Sequence, residues 1–394
     1  MSSDTLVPPG APPGTAPGSG GAEHPVSTNL RHGNTFRLMA ATSSAMIGMG
    51  LVMILSASSV EAFKTYGSSF LFFRKQLVGA ALGLVALLGL SRFDYRRLRK
   101  LARPMFWLTL AGLVAALIPG IGVTGGGSSR WLNVGPVTVQ PSELAKLALI
   151  LVSAHVLERK GGFVGDIREL CIPVIPMTAL ACLLMVAQPD LGTTIITVAA
   201  VLTVLYLAGA RIRHLGALIS LGSVAAAGLI LTQGYQRARF ASYLHPWADP
   251  LKGGYQIIQG QIALGSGGWF GVGLGASRQK WSYVPNAHTD FIFAIIGEEL
   301  GLIGTLLVLA AFGFFCYLGI RIAREAPDRF GFLVAGGITA WIGIQAVINV
   351  GAVTGMLPIT GVPLPMISFG GTSLVLTMAA IGILLSIARH GRRG

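Results

Sequence analysis

Charged residues are scarce in this chain of 394 residues: Asp, Glu, Lys and Arg make up only 11% of it, while 53% is hydrophobic. An average soluble domain carries roughly 25% charged residues, so this composition argues against a soluble enzyme. Cysteine is also rare. Cys171, Cys182 and Cys316 all lie in apolar runs without metal-ligand spacing, so they indicate small core residues rather than a disulfide or zinc framework.

The alternation of apolar and polar residues that marks outer-membrane strands is missing as well. Apolar runs of about 20 residues recur instead, which is the length that a helix needs to cross a bilayer. The pattern predicts an all-α polytopic membrane protein of about ten spans. They lie near 38–60, 70–90, 105–121, 142–158, 170–188, 192–210, 214–233, 291–320, 331–353 and 370–388.

Basic residues collect in every second connection between these spans. The outside connections near 188–192 and 354–369 contain no Lys or Arg. This asymmetry predicts an even number of spans with both termini in the cytoplasm. It also explains the net charge of +14 without a nucleic acid partner. The inside loops and the tail contain Arg92, Arg96, Arg97, Arg99, Lys100 and Arg103; Arg159, Lys160 and Arg168; Arg211 and Arg213; Arg321, Arg324 and Arg329; and Arg389, Arg392 and Arg393.

Two regions lie outside the regular pattern. Residues 1–36 are rich in Pro, Gly, Ser, Thr and Ala, which predicts a disordered cytoplasmic tail ahead of a membrane domain at 37–390. Residues 234–290 form a predicted large extracytoplasmic loop between spans 7 and 8, with five cations and seven Trp or Tyr residues. That loop is either an interfacial aromatic belt with snorkelling Lys and Arg, or a site for an anionic, lipid-attached substrate.

The segment 130–146 places ionisable residues at the start of a span. Ser142 follows Pro141 as a predicted helix N-cap, and Glu143 and Lys146 share a face at i,i+3. These two residues either form an internal ion pair that lets the helix insert, or Lys146 acts with Arg130 on the phosphates of a substrate.

Two aspartates lie at predicted membrane edges. Asp190, in the turn 188–193, is predicted to cap the next helix. Asp290 lies two residues after His288 and eight before Glu298, and helical geometry places Asp290 and Glu298 on nearly one face. A carboxylate at a dehydrated edge should have a raised pKa, which suits a general base. A helix-capping role for Asp290 remains equally open at this point.

The segment 349–374 carries many Gly and Pro residues between the last two spans. Irregular backbone at membrane depth is tolerated where protein buries it or where it lines a cavity, so a rigid re-entrant loop is one reading and a plain helix-breaking connection is the other. Hydroxyls beside backbone N–H groups at a helix start suit phosphate. The prolines are Pro358, Pro363 and Pro365, and the hydroxyls are those of Ser368, Thr372 and Ser373.

Together these segments resemble the SEDS family (shape, elongation, division and sporulation) of membrane peptidoglycan polymerases. The matching pieces run in the family's order from about residue 40 to 390, and the 285–301 stretch resembles the division branch, FtsW, more than the elongation branch, RodA. The pieces are RWLNVGPVTVQPSELAK, QPDLGTT, GGYQIIQGQIALGSGGWFGVGLG, VPNAHTDFIFAIIGEELGLIG and NVGAVTGMLPITGVPLPMISFGGTSL.

The resemblance implies a glycosyltransferase that joins lipid II units at the outer face of the bacterial cytoplasmic membrane, at the division septum for an FtsW. The family's essential aspartate in the HTDF motif corresponds to Asp290. Its Arg-Trp and Glu-x-x-Lys motifs correspond to Arg130, Trp131, Glu143 and Lys146. This chain departs from the commoner pattern at Asn286, at Gly260-Gln261 and at Phe369.

The linkage chemistry specifies the kind of step. Lipid II is α-linked and the glycan product is β-1,4-linked, so one inverting displacement needs a base and positive charge for the departing diphosphate. We expect Asp290 to be the base. The candidate substrate-binding residues are Arg130, Trp131, Glu143, Lys146, Arg237, Arg239, His288, Ser368 and Ser373. No cofactor is required by this scheme, although a divalent cation such as Mg²⁺ can supplement the cations.

The partners implied by the resemblance are lipid II, membrane lipid, an FtsI-like class B penicillin-binding transpeptidase and other divisome membrane proteins. Two other functions fit the physical pattern: a flippase for lipid-linked cell-wall precursors, and a non-catalytic divisome scaffold. The unusual residues cluster near one membrane edge, whereas a flippase needs polar groups at the midplane. That asymmetry favours chemistry on one face.

Overall fold

The computed structural model describes residues 26–125, 128–135, 137–160, 172–232, 234–281, 283–285 and 287–391. Most of them are helical, as the apolar runs predict. The helices are α1 (Val26–Tyr66), α2 (Leu71–Arg92), α3 (Leu98–Leu117), α4 (Pro141–Arg159), α5 (Val174–Ala187), α6 (Leu191–Leu207), α7 (Ile212–Thr232), α8 (Gly234–Leu244), α9 (Tyr255–Ser266), α10 (Ile292–Arg324), α11 (Arg329–Val353) and α12 (Gly371–Arg389). The strands are β1 (Gly122–Gly125), β2 (Ser128–Val134) and β3 (Val137–Val139).

Seven of the described helices are long and apolar enough to cross a bilayer: α1, α2, α3, α7, α10, α11 and α12. Helices α5 and α6 are apolar but shorter. These nine helices and α4 each overlap one predicted span. The chain is therefore a polytopic helical membrane protein, while crossing of the bilayer by all ten helices stays a prediction.

The small sheet departs from the all-α prediction. β2 lies between β1 and β3 and pairs antiparallel with both, so that Leu132 lies opposite Gly122 and Val139. The turn between β2 and β3 contains Gly135 at a φ of 63°, a conformation that glycine adopts without steric penalty. The alternating Val and Thr residues of β3 favour extended backbone. These strands are so short that alternation of side chains along them cannot be told from the sequence of an irregular loop.

Two predicted boundaries change, and the predicted large loop is partly helical. Helix α1 begins at Val26, inside the predicted tail, because a helix propagates at little cost once its apolar part has formed; residues 1–25 lie outside the described residues. Helix α3 begins at Leu98 rather than near 105, and its Arg99 pairs with Glu158 and Asp328 at 2.8 and 3.2 Å. The 234–290 region contains the helices α8 and α9.

Helix α4 lies at the centre of the bundle. Most of its residues from Pro141 to Leu157 are buried, and it packs against α3, α6 and α11. Helix α12 packs most extensively on α2, where a Cβ on Gly79 would come within 3.3 Å of the Gly371 backbone. Helix α7 differs from these, because its side chains are largely exposed. The core therefore runs through α4, α11 and α12.

Helix α10 is broken at Gly301, which has φ 68° and ψ −166°. The loop 267–273 inserts at this break. The N–H groups of Val272 and Gly273 donate to the carbonyls of Glu298 and Glu299 at 2.9 and 3.1 Å. In return, the N–H of Leu302 donates to the Gly268 carbonyl at 2.9 Å. The loop thus satisfies the backbone groups that the break frees, as a buried helix break requires.

The carboxylates of Glu298 and Glu299 hold the next part of the same loop. Glu298 accepts the N–H of Arg278 at 2.9 Å. Glu299 accepts the hydroxyl of Ser56 at 2.6 Å and lies 3.4 Å from Lys280 Nζ. Although the sequence places Glu298 on nearly the same face as Asp290, its carboxylate is bound within the loop.

Substitution of Gly301 by alanine is expected to destabilise the protein by at least about 1–3 kcal/mol, the cost of a residue held in a sparsely populated conformation. The added Cβ would also lie 2.4 Å from the Gly271 nitrogen. Thermal unfolding in detergent measures the effect. Gly313→Ala is the matched control in the same helix, because nothing lies within 4 Å of its Cβ position. Equal melting temperatures for the two variants would contradict this account of the break.

Candidate active site

Asp290 lies immediately before α10 and is buried, with 8% of its surface exposed. The hydroxyl of Thr289 is 3.1 Å from Asp290 Oδ1. Helix α10 has Phe291 at its N-cap position and no side-chain capping bond. Asp290 is therefore not the cap of this helix, and its carboxylate does not bond to the helix N-terminus.

Burial raises the pKa of the Asp290 carboxyl above its ordinary value. The hydrogen bond from Thr289 and the positive charge of Arg239 act in the opposite direction. A carboxyl with a raised pKa is a stronger base when ionised. The environment of Asp290 is therefore suited to taking a proton from a hydroxyl group.

The backbone around Gly361 forms a wall beside this carboxylate. A Cβ on Gly361 would lie 4.0 Å from Asp290 Oδ2 and 3.8 Å from Arg239 Nη2, and Gly361 has a φ of 70°. The amide nitrogen of Asn349, on α11, donates to the carbonyls of Asp290 and Val362 at 2.8 Å each. Helix α8, helix α11 and the 354–370 segment therefore converge on Asp290.

His288 is buried between two aromatic rings rather than open to solvent. Its ring centroid lies 4.5 Å from that of Phe72 and 5.5 Å from that of Phe369. Its Nδ1 is 3.1 Å from Glu61 Oε2, an ion-pair distance without hydrogen-bond alignment. The His288 carbonyl accepts the N–H of Phe369 at 2.9 Å. His288 thereby joins the Asp290 segment to α2 and to the loop before α12.

The hydroxyl of Ser368 does not face an open phosphate site. This hydroxyl accepts the N–H of Leu364 at 2.8 Å within the same loop. The backbone carbonyl of Ser368 accepts the side-chain amide of Gln76 at 3.3 Å. Ser373 lies partly buried in the first turn of α12. The structure favours the re-entrant reading of this segment, because protein encloses residues 362–368 almost completely.

A second cluster forms around Asp190. Its carboxylate lies 3.4 Å from Arg130 Nη1 and accepts the hydroxyl of Ser142 at 2.9 Å and the amide of Gln140 at 3.1 Å. Asp190 also accepts the N–H of Thr193 at 3.4 Å, so the predicted cap of α6 is confirmed. Ser142 is not a cap: Gln140 occupies the N-cap position of α4, without a side-chain bond.

Trp131 neighbours Arg130 in β2, where it lies opposite Val123 of β1. Its side chain is partly buried. Arg130 retains 22% side-chain exposure while bound to Asp190. The Arg-Trp pair is thus held by the sheet at the same end of the bundle as the start of α4.

Glu143 and Lys146 form the internal ion pair that the sequence left open as one reading. Lys146 Nζ lies 2.8 Å from Glu143 Oε1 and 2.9 Å from Gln345 Oε1, over the ring of Trp341 at 4.8 Å. Lys146 is fully buried. The prediction that it reaches a substrate phosphate is not supported, because its ammonium group is enclosed by protein.

The two arginines of α8 differ in their surroundings. Arg237 is exposed, whereas Arg239 is partly buried beside Gly361. Arg239 is therefore the one of these two arginines whose charge acts on Asp290. Gly260 allows close packing, because a Cβ there would lie 2.6 Å from the Phe291 ring. Asn286, one of the departures from the family pattern, lies outside the described residues.

Sequence reasoning missed Asn349, Gln345 and Glu61. Asn349 and Gln345 are polar side chains one turn apart in an otherwise apolar helix, and a buried amide in such a helix is a signal of function or of a fixed contact. Among the residues that the structure describes, no three His, Cys, Asp or Glu side chains converge as a metal site.

The fold and the site define a polytopic membrane protein with a buried carboxylate just before a long helix and an arginine of another helix nearby. Residues 36–393 match the FtsW/RodA/SpoVE family of cell cycle proteins. The chain is 42% identical to stage V sporulation protein E of Bacillus subtilis over 355 residues, 90% of this chain and 97% of that protein. It is 43% identical to the probable peptidoglycan glycosyltransferase FtsW of Mycobacterium tuberculosis over 356 residues, 90% of this chain and 68% of that protein.

Solved structures agree. A chain of a peptidoglycan synthase complex, studied for how it coordinates polymerization and crosslinking, has a TM-score of 0.75 at 30% identity and covers 89% of this chain and 96% of its own. The rod shape determining protein RodA of Thermus thermophilus has a TM-score of 0.66 at 28% identity, covering 89% and 95%. The chain belongs to the FtsW/RodA/SpoVE family, and the resemblance to SEDS proteins is confirmed.

Proposed function

We propose that this protein is a peptidoglycan glycosyltransferase that polymerises lipid II into β-1,4 glycan strands. The observation that carries the proposal is the buried Asp290 carboxylate beside Arg239, in a chain whose relatives include proteins named peptidoglycan glycosyltransferase. The names of these relatives do not favour the flippase or the scaffold.

The proposed step is a single inverting displacement. The 4-hydroxyl of the acceptor sugar attacks the anomeric carbon of the donor, the bond to the diphosphate breaks, and Asp290 accepts the hydroxyl proton. Arg239, with Arg237 and Arg130 as further candidates, stabilises the negative charge on the departing diphosphate. The raised pKa of Asp290 supports its role as the base.

The proposed topology puts this chemistry on the extracytoplasmic side of the membrane. Ten spans with both termini in the cytoplasm put the 234–290 region and the start of α10 at the outer face of the bacterial cytoplasmic membrane. The basic connections at the opposite ends of the helices support this orientation. For a division-branch member, the location is the septum.

The proposed partner is an FtsI-like class B penicillin-binding transpeptidase. The structural likeness to a chain of a peptidoglycan synthase complex that joins polymerization to crosslinking supports such a pairing. Other divisome membrane proteins follow from the division-branch resemblance. Co-purification of the full-length chain with its transpeptidase tests the pairing.

Incubation of the purified full-length protein with lipid II tests the function, with and without the transpeptidase. Glycan polymer that forms in the presence of inhibitors of other transglycosylases is the expected product. Absence of polymer under both conditions, from protein that is folded and lipid-reconstituted, would contradict the proposal.

Polymerisation is expected to decline as pH falls through the pKa of Asp290. The base must be ionised, and burial raises this pKa, so the acidic limb of the rate profile lies above the ordinary aspartate value of about 3.9. Initial rates at constant ionic strength, with lipid II saturating, measure the limb. A limb at or below that value would contradict the burial of the base.

A further inference from the structure

Asn349 makes two hydrogen bonds that connect separate walls of the site. Its Nδ2 donates at 2.8 Å to the carbonyl of Asp290 and at 2.8 Å to the carbonyl of Val362, and only 1% of the residue is exposed. The opposite amide orientation would place Oδ1 against two carbonyl oxygens, so the chemistry itself assigns the nitrogen to this side. Both amide hydrogens are used.

The two carbonyls belong to the parts of the chain that surround the Asp290 carboxylate. One is that of Asp290 itself. The other is that of Val362, next to Gly361, whose Cβ position lies 4.0 Å from Asp290 Oδ2 and 3.8 Å from Arg239. One side chain of α11 therefore ties the backbone of the proposed base to the segment beside its carboxylate.

The same segment has a second anchor that does not touch Asp290. Gln345, one turn earlier on α11, donates its amide to the Pro363 carbonyl at 2.9 Å. Gln345 thus ties this segment to α11 without contacting Asp290. Of these two side chains, only Asn349 bonds to both the segment and the backbone of the base.

We infer that Asn349 is a positioning residue for Asp290: by tying the Asp290 backbone to Val362, it holds the carboxylate against the Gly361 wall. The inference rests on the proposed function, in which Asp290 accepts the proton. Asn349 touches neither substrate nor the reacting atoms, and it acts only through Asp290 and Val362.

The charges near Asp290 come from several elements, and none is altered by a change at Asn349. Arg239 faces it from α8, and His288 lies two residues away on its own segment with Glu61 of α1 at 3.1 Å. Lys146 of α4 contacts Gln345 rather than Asn349. A change in the pH profile of an Asn349 variant therefore reports on the exposure and direction of Asp290.

The test uses Asn349→Ala and the similarly shaped, uncharged Asn349→Leu in full-length protein reconstituted in lipid, assayed for lipid II polymerisation against pH. We expect kcat to fall at least tenfold with KM changed less than threefold. The acidic limb should move to lower pH, because water admitted beside Asp290 relieves the burial that raises its pKa. Asn349→Ser retains one donor and should show an intermediate loss, which keeps the test valid if Asn349→Leu does not fold.

Ser386→Ala is the matched control. Ser386 is also buried and also joins two backbone positions, donating to the Phe93 carbonyl at 2.6 Å and accepting the Tyr95 N–H at 3.3 Å, away from Asp290. It should lower the melting temperature and leave kcat and the pH profile of folded protein unchanged. Asn349 variants that behave like Ser386→Ala would overturn the inference. Full activity of Asp290→Ala would instead remove the proposed base, whatever Asn349 does.

Discussion

Purified Asp290→Ala protein is expected to lose lipid II polymerisation by about 10²–10⁴-fold, the contribution typical of general-base catalysis. Among the described residues, no other carboxylate oxygen lies within 4 Å of the Gly361 Cβ position, so no second base is placed there to take over the proton. Asp290→Asn should lose as much activity, because the asparagine side chain has the size of aspartate but cannot accept the proton as a base. Gel analysis of glycan length after incubation with lipid II measures both variants.

Asp249→Asn is the control for this prediction. Asp249 lies in the same 234–290 region but is exposed, so its replacement should leave polymerisation within about twofold, in keeping with the small effects usual for exposed sites. The melting temperatures of all variants should match that of the unsubstituted protein within a few degrees. Polymer made at the ordinary rate by folded Asp290→Ala protein would remove the assignment of the base.

The helices could be predicted because a bilayer demands long apolar segments. Every predicted span overlaps a helix, and the largest errors occur where polar or basic residues extend a helix beyond its apolar part, as at Val26 and Leu98. The strands β1 to β3 were missed because three to seven residues are too few to establish a period. Apolar length is a local property, and local properties are readable from one sequence.

The site residues were predictable one by one, but their contacts were not. Asp290 and Asp190 are unusual wherever they stand in an apolar chain. Their partners are distant in sequence: Arg130 is 60 positions from Asp190, and Asn349 is 59 positions from Asp290. Only the folded chain reveals that Ser142 binds Asp190 rather than capping its own helix.

The Glu143–Lys146 pair illustrates how burial decides between two readings. At i,i+3 the sequence permits an ion pair, and it equally permits a lysine aimed at a phosphate. Full enclosure of Lys146 between Glu143, Gln345 and Trp341 selects the ion pair. The pair then contributes to holding α4 against α11 at the centre of the bundle, close to the Pro363 carbonyl that Gln345 binds.

Lys146→Met is expected to destabilise the protein by about 3–5 kcal/mol, the usual effect of removing one partner of a buried ion pair. The carboxylate of Glu143 would be left buried without its cation, and its Oε2 already has no hydrogen-bond partner among the described residues. A large drop in melting temperature in detergent is the expected readout. Glu143→Leu combined with Lys146→Met should recover much of the loss, because the double variant leaves no unpaired charge.

The partly exposed pair of Arg321 and Glu325, 2.8 Å apart at i,i+4, provides the control, since Arg321→Met should cost only about 0.3–0.5 kcal/mol. The two readings of Lys146 differ in a second measurement. A lysine that bound the diphosphate would raise KM for lipid II on substitution while leaving the melting temperature unchanged. A closed ion pair predicts the opposite result. The melting temperature should fall, and the protein that remains folded should keep its KM for lipid II. The first pattern would return Lys146 to the substrate site and show that the enclosure seen around it opens when substrate binds.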